Sequence, residues 1–217
     1  MNNKQLVNMY LKEKMKIDDK VLEIIEKSEL QVTEQFNMLD DILFYNQIKV
    51  LNAFQKNRIS DMHFSWTTGY GYNDPGREAI ERVYSTIFGT EASLVRPIIV
   101  NGTHALALTL GGILRPDDEL IYASGAPYDT LEEVIGIRGK GKGNGSLKDF
   151  GIKYFQVDLT KDNRIDFDKL KNTITKKTKV ITVQRATGYG FRRAITIPEI
   201  KEWVYFVKSI NNKSYAW

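Results

Sequence analysis

The stretch Arg96-Pro97-Ile98-Ile99-Val100-Asn101-Gly102-Thr103-His104-Ala105 decides how this chain reads. Its apolar run predicts a buried strand over residues 95–100, and the small polar residues after it predict a tight turn opening a helix over 103–114. Such a turn leaves backbone N–H groups at the positive end of a helix dipole, an arrangement that suits a phosphate. Further on, Gly125-Ala126-Pro127-Tyr128-Asp129-Thr130 has the same sense: a strand ends, an aromatic side chain follows, and a helix begins.

Outward from these two turns the pattern alternates. Strands are predicted over 119–123, 152–159 and 179–184, and helices over 130–137, 166–174 and 198–210. Turn signals separate them, among them Arg115-Pro116-Asp117-Asp118 and Lys161-Asp162-Asn163. Apolar strands alternating with helices predict an α/β domain built on a mainly parallel sheet. The glycine- and lysine-rich run over 139–145 reads as a mobile surface loop, with an anion-binding lid as the alternative.

Upstream, residues 3–58 contain no proline, and Phe36, Leu39, Ile42, Leu43, Ile48, Leu51 and Phe54 recur at spacings near three and four. This predicts a helical N-terminal arm over 1–58, ahead of the α/β domain over 59–217. The intervening Trp66-Thr67-Thr68-Gly69-Tyr70-Gly71-Tyr72-Asn73-Asp74-Pro75-Gly76 is rich in glycine and aromatics. Asp74 before Pro75 predicts a capped helix start, and that helix stops near Gly89.

Composition excludes several classes. A net charge of +4 over 217 residues, spread along the chain, argues against a nucleic-acid partner. With no cysteine and only 2 histidines there is neither a disulfide nor a metal-ligand spacing. No apolar window reaches the length of a membrane span, and no signal peptide opens the chain, which reads as a cytoplasmic protein. A Gly-x-Ser-x-Gly elbow, a phosphate-binding Walker loop and a dinucleotide fingerprint are all lacking.

The candidate site residues follow from the turns. The N–H groups of Gly102 and Thr103, with the Thr103 hydroxyl, suit a phosphate, although a plain capped turn has the same composition. His104 is a candidate base or stacking partner, or a structural histidine. Tyr128 sits where a strand ends and can cover a flat ring. Tyr70 and Tyr72 can bring a hydroxyl to a phosphate, in their own site or a neighbour's, or can pack at an interface. Arg185 and Arg192, in the glycine-containing loop after a strand, suit a carboxylate or phosphate; a solvated loop is the alternative. A phosphate cup beside a stacking aromatic points to a phosphorylated aromatic cofactor, and pyridoxal phosphate fits better than a dinucleotide.

Four segments in order carry a resemblance: Gly69-Tyr70-Gly71-Tyr72-Asn73-Asp74-Pro75-Gly76-Arg77, Asn101-Gly102-Thr103-His104-Ala105, Ala126-Pro127-Tyr128-Asp129-Thr130, and Gln184-Arg185 through Gly188-Tyr189. Together they resemble the N-terminal half of the methionine gamma-lyase-like proteins linked to aluminium resistance, pyridoxal-phosphate enzymes related to the cystathionine lyases. The resemblance implies the large domain of the aspartate-aminotransferase fold (fold type I). It implies that Gly102 and Thr103 hold the cofactor phosphate, that Tyr128 stacks on the pyridine ring, and that Tyr70 or Tyr72 lies near the phosphate of an adjacent subunit. It implies a small amino-acid substrate, its sulfur-containing side chain eliminated after proton removal at the α-carbon; the loop arginines Arg185 and Arg192 are the candidates for binding it. Gly71 and Asn73 flank Tyr72 where related lyases add an arginine, and Ala186-Thr187 replaces a more polar pair.

In that fold an aspartate holds the pyridine nitrogen and a lysine bonds the cofactor, both on later strands. The tail Ser209-Ile210-Asn211-Asn212-Lys213-Ser214-Tyr215-Ala216-Trp217 matches neither strand. The expectation is therefore a truncated lyase, inactive alone, that self-associates as a dimer or larger species. The rivals are a non-catalytic binding or interaction remnant of the same fold, and a phosphate-ligand binding protein built on the same sheet.

Overall fold

The computed structural model describes residues 3–67, 74–139 and 143–217. The chain divides between Arg96 and Pro97 into two units.

The first unit is helical. In place of one run over 3–58 there are three helices, α1 (Asn3–Glu13), α2 (Asp19–Gln31) and α3 (Thr33–Lys56). The first break contains Lys16 at a φ of 57°, and Asp18 then caps α2 by accepting a bond from the Lys20 N–H at 2.8 Å. A short 3-10 turn at Asp61–Phe64 follows. Helix α4 (Pro75–Phe88) begins as its sequence predicts, with Asp74 accepting from the Arg77 N–H at 3.1 Å, and stops at Gly89 in the left-handed conformation. Ala53 of α3 and Ala79 and Val83 of α4 are buried.

The strand predicted over 95–100 does not form. Pro97 has no N–H to give a ladder, and the Val95 N–H is taken by the Glu81 carboxylate at 3.0 Å. The Val100 N–H turns instead to the His104 ring at 3.4 Å, and Ile98 and Val100 stay exposed.

The second unit is a three-layer α/β structure. Its strands are β1 (Glu119–Tyr122), β2 (Lys153–Gln156), β3 (Thr178–Thr182) and β4 (Tyr215–Ala216), all parallel, in the order β2-β1-β3-β4. Successive residues of β1 face opposite ways, as the pleat requires. Leu120 and Tyr122 enter one core with Leu110 and Leu114 of α5 (Gly102–Ile113) and its C-cap and with Leu131 and Ile135 of α6 (Asp129–Ile135). Ile121 and the following Ala123 enter the other, with Leu170 of α7 (Phe167–Thr173) and Trp203 and Val207 of α8 (Ile197–Ile210). Burial on both faces explains why the chain from Leu120 to Ala123 reads as an unbroken apolar run.

The C-terminal tail corrects the sequence reading. Residues 215–216 extend the sheet as β4: the Trp217 N–H donates to Ile181 and its carbonyl accepts from the Val183 N–H, both at 2.9 Å. So short a segment carries no period, and pairing with β3 alone makes it a strand.

Residues 140–142 of the glycine-rich run lie outside the described residues. The part that follows is wrapped around a carboxylate. Asp149 accepts from the N–H groups of Gly143, Asn144, Gly145 and Ser146 at 3.0 to 3.2 Å. These bonds, with the Gly143 N–H the largest cause, hold the Asp149 carboxyl below its usual range. The backbone donors of residues 143–146 are thus filled by the chain's own anion.

Candidate functional site

In a parallel sheet with helices on both faces, ligands collect beyond the C-terminal ends of the strands. Three turns meet there in the second unit: the start of α5 after residue 101, the loop from β1 to α6, and the loop from β3 to α8.

Asn101 is the N-cap of α5, and its side-chain oxygen accepts from the His104 N–H at 2.8 Å. This leaves the N–H groups of Gly102 and Thr103, the first two of the helix, without an acceptor inside it. A Cβ at Gly102 would meet nothing within 4 Å, so the backbone there is open to approach. His104 turns its ring back to the Val100 N–H, which gives it a bracing role in the turn. The Thr103 hydroxyl lies 2.7 Å from the Thr130 hydroxyl, in the first turn of α6. One side-chain contact therefore joins the open start of α5 to the start of α6, whose Thr130 and Leu131 N–H groups are already taken by Asp129 Oδ1 and the Tyr128 carbonyl, both at 2.8 Å.

Tyr128 stands two residues before Thr130, as the N-cap of α6, and is half-buried. Beside it lies a cavity of about 380 Å³ walled by Leu106, Tyr122, Tyr128, Thr182, Gly188 and Trp217, among others. Its surface is mainly apolar, as a site for a flat ring should be. Two larger hollows of the second unit, of about 650 and 820 Å³, lie elsewhere. One is at the N-terminal strand ends among Lys176, Lys177 and Lys179, and the other is beside Arg115 and Pro116. Neither adjoins the α5 turn or Tyr128, so size alone does not select the site.

The loop after β3 completes the arrangement. The Gln184 N–H donates to Ser124 Oγ at 2.8 Å, tying the end of β3 to the end of β1. The ring of Tyr189 stacks on Tyr128, with centroids 5.7 Å apart and planes 26° apart. The Tyr189 phenol, followed by burial and the Asp129 charge, pushes the Tyr128 pKa above its ordinary value. The two arginines differ. Arg192 turns inward and donates to the carbonyls of Gln184, Ala186 and Arg193 at 2.7 to 3.0 Å. Arg185 is exposed, and among the described residues its guanidinium meets no acceptor. Gly102, Thr103 and Tyr128 are thus brought together, with Arg185 and Arg192 on the adjoining loop. Tyr70 and Tyr72 lie outside the described residues.

A family model for methionine gamma-lyase matches residues 21–216 of this chain.

The chain belongs to the methionine gamma-lyase family.

Among members and relatives, an uncharacterized protein of Bacillus subtilis, YnbB, is 49% identical over 193 residues, which are 87% of this chain and 46% of the relative. The solved structure of a carbon-sulfur lyase involved in aluminum resistance from Clostridium novyi is 42% identical, with a TM-score of 0.87 over 100% of this chain and 50% of that one. A Listeria monocytogenes protein, named provisionally as a cystathionine beta-lyase involved in aluminum resistance, is 52% identical, with a TM-score of 0.83 over 88% of this chain and 47% of that one. The chain therefore spans about half the length of these relatives. Their fold is the one found here: a parallel sheet between helical layers, preceded by a helical N-terminal arm.

Sequence reasoning missed Thr130 and Tyr189 as parts of this site, and Trp217 as a wall of the cavity. Thr130 and Tyr189 stood inside segments already singled out, but a pairing across 27 or more residues has no local signature.

Proposed function

We propose that the second unit is the phosphate- and ring-binding half of a pyridoxal-phosphate site, in a lyase acting on the carbon–sulfur bond of an amino acid. The observation that carries this is the Thr103–Thr130 contact at 2.7 Å. It joins a helix start with unfilled N–H donors to the segment bearing Tyr128, so a phosphate and an aromatic ring on one small molecule can be met together.

The residues present fit that cofactor. The N–H groups of Gly102 and Thr103 hold a phosphate dianion on the α5 dipole, and Gly102 leaves room for it. Tyr128 covers the ring, and the apolar cavity wall keeps water from it. Arg185 presents a charged fork to the substrate's carboxylate. When bound, pyridoxal phosphate supplies an electron sink for charge developing at the substrate's α-carbon.

A binding role without turnover is the second reading, and one observation favours it. Among the described residues, no lysine lines the cavity beside Tyr128. On this reading the 217-residue chain holds the cofactor and releases no product. Titration with pyridoxal phosphate, pyridoxal and inorganic phosphate tests the proposal. The phosphorylated ring binds tightest, and Tyr128→Ala and Gly102→Asp both weaken it. Equal binding of the three ligands overturns the proposal. Keto-acid release from methionine or cystathionine, lost in Tyr128→Ala, overturns the second reading alone.

A further inference from the structure

Arg192 is the half-buried arginine of its loop, and among the described residues it meets no carboxylate. One Nη2 donates to the carbonyls of Gln184 at 2.8 Å and Ala186 at 2.7 Å, while Nη1 donates to Arg193 at 3.0 Å. Burial alone pulls its pKa down. A guanidinium half-removed from water is a costly way to hold a loop unless the loop's shape matters, and only its planar fork spans several carbonyls at once. The neighbouring Arg193 is used differently, paired with Glu199 at the start of α8.

The segment that Arg192 holds leads directly to Tyr128. Gln184, Ala186 and Gly188 all line the cavity. Between Ala186 and Arg192 the chain makes a tight turn, closed by the Gly190 N–H to the Thr187 carbonyl at 3.0 Å, with Gly188 at a φ of 59°. The Gly188 backbone lies close on Tyr128: a Cβ there would stand 3.4 Å from a ring carbon. The next residue, Tyr189, is 83% exposed, yet its ring stacks on Tyr128. A tyrosine so exposed is not held by core packing, so the turn must aim it.

We propose that Arg192 and Tyr189 are positioning residues: Arg192 clamps the turn that lays Tyr189 on Tyr128, and this second ring fixes the plane Tyr128 offers to a ligand's aromatic ring. The proposal rests on the reading of Tyr128 as the cofactor's stacking partner. It gives Arg192 a task apart from the substrate's carboxylate and leaves that task to Arg185.

The test uses the full 217-residue chain and its variants Arg192→Gln, Tyr189→Ala and Tyr189→Phe, titrated calorimetrically with pyridoxal phosphate and with inorganic phosphate. Tyr189→Ala and Arg192→Gln weaken pyridoxal phosphate by about three- to tenfold, the range of one aromatic pair. Both leave inorganic phosphate unchanged, and both lose the same near-ultraviolet tyrosine dichroism. Tyr189→Phe, which keeps the ring, binds as the unaltered chain does. Unaltered pyridoxal phosphate affinity in Tyr189→Ala, or equal loss for both ligands, overturns the proposal and leaves the cofactor reading standing. Absence of pyridoxal phosphate binding by the unaltered chain overturns both. Should Arg192→Gln not fold, the contrast of Tyr189→Ala with Tyr189→Phe decides the matter, since an exposed ring is changed.

Discussion

The hydroxyls of Thr103 and Thr130 stand 2.7 Å apart and join the first turns of α5 and α6. The contact has a chemical cost and a use. Each hydroxyl has one proton, so in this pair one donates and the other is left to accept or to turn outward. A phosphate arriving at the α5 start offers acceptors to both.

Thr103→Val is therefore expected to weaken inorganic phosphate and pyridoxal phosphate alike by roughly fivefold to tenfold, the value of about one hydrogen bond. Thr130→Val removes only the partner that orients Thr103, and its effect is smaller, roughly twofold to threefold. Neither residue is buried, so thermal midpoints stay close to that of the unaltered chain. Equal affinity in Thr103→Val would remove the hydroxyl from the site.

Gly102→Asp separates binding from folding. A carboxylate in the first turn of α5 interacts well with the helix dipole, so the helix is stabilised by about 0.3–1 kcal/mol. The same charge repels a phosphate and crowds the open backbone above residue 102. The expected result is a thermal midpoint equal or higher, with phosphate binding abolished. A variant that binds as before shows that the α5 start is only a capped turn.

The elements of the fold differ in how far the sequence announces them. Helix α4 could be read to the residue from Asp74, Pro75 and Gly89, because capping is local chemistry. Strand β1 was legible because both its faces are buried. The apolar run over 95–100 looked the same, yet no neighbouring strand takes its N–H groups and Glu81 does. Strand β4 failed in the opposite sense, with no pattern of its own but a partner waiting in β3. In the site, Gly102, Thr103 and Tyr128 announced themselves through turn composition. Their partners Thr130 and Tyr189 depend on how the turns meet in space, which spacing along the chain does not encode.

Gly136 tests a turn rather than the site. It caps α6 at a φ of 92°, and a Cβ there would lie 2.5 Å from Ser146 Oγ and 2.9 Å from Lys148 Cβ. Backbone strain and overlap add, so Gly136→Ala is expected to destabilise the chain by about 1–3 kcal/mol. Urea unfolding measures this, and a change under about 0.5 kcal/mol would mean that the loop over 143–149 yields freely.

Acid sensitivity should centre on the start of α8. Glu199 accepts from Arg193 at 2.8 Å and from the N–H and hydroxyl of Thr196 at 2.9 and 2.8 Å. The Arg193 bond first, then the Thr196 N–H, hold its carboxyl far below the usual carboxylate range. A depressed value means that the fold favours the charged form. The contribution is complete above the ordinary value of 4.5 and is lost as pH falls toward the depressed one. Thermal midpoints should therefore drop more steeply from about pH 5 to about pH 3 in the unaltered chain than in Glu199→Gln. Glu199→Gln should also be the less stable of the two near neutrality. Parallel curves for the two proteins would show that the cluster is not linked to stability.

Self-association is the last expectation, and α3 motivates it. Phe36, Leu39 and Leu43 recur at helical spacing, and with Phe44, Tyr45 and Ile48 they are all half or more exposed. Apolar exposure on that scale along α3 exceeds what monomers ordinarily present to water. We propose that this arm pairs with a second copy of the chain, as a dimer or a larger species. Apolar contact predicts association that persists at high salt, unlike the pairing of charged faces. Leu39→Glu with Leu43→Glu should shift the chain toward monomer at unchanged helix content, because both positions are exposed in the single copy. Deleting residues 1–58 should change the assembly state as well. Light scattering at tens of micromolar reads all three, and a monodisperse monomer of the unaltered chain would end the proposal.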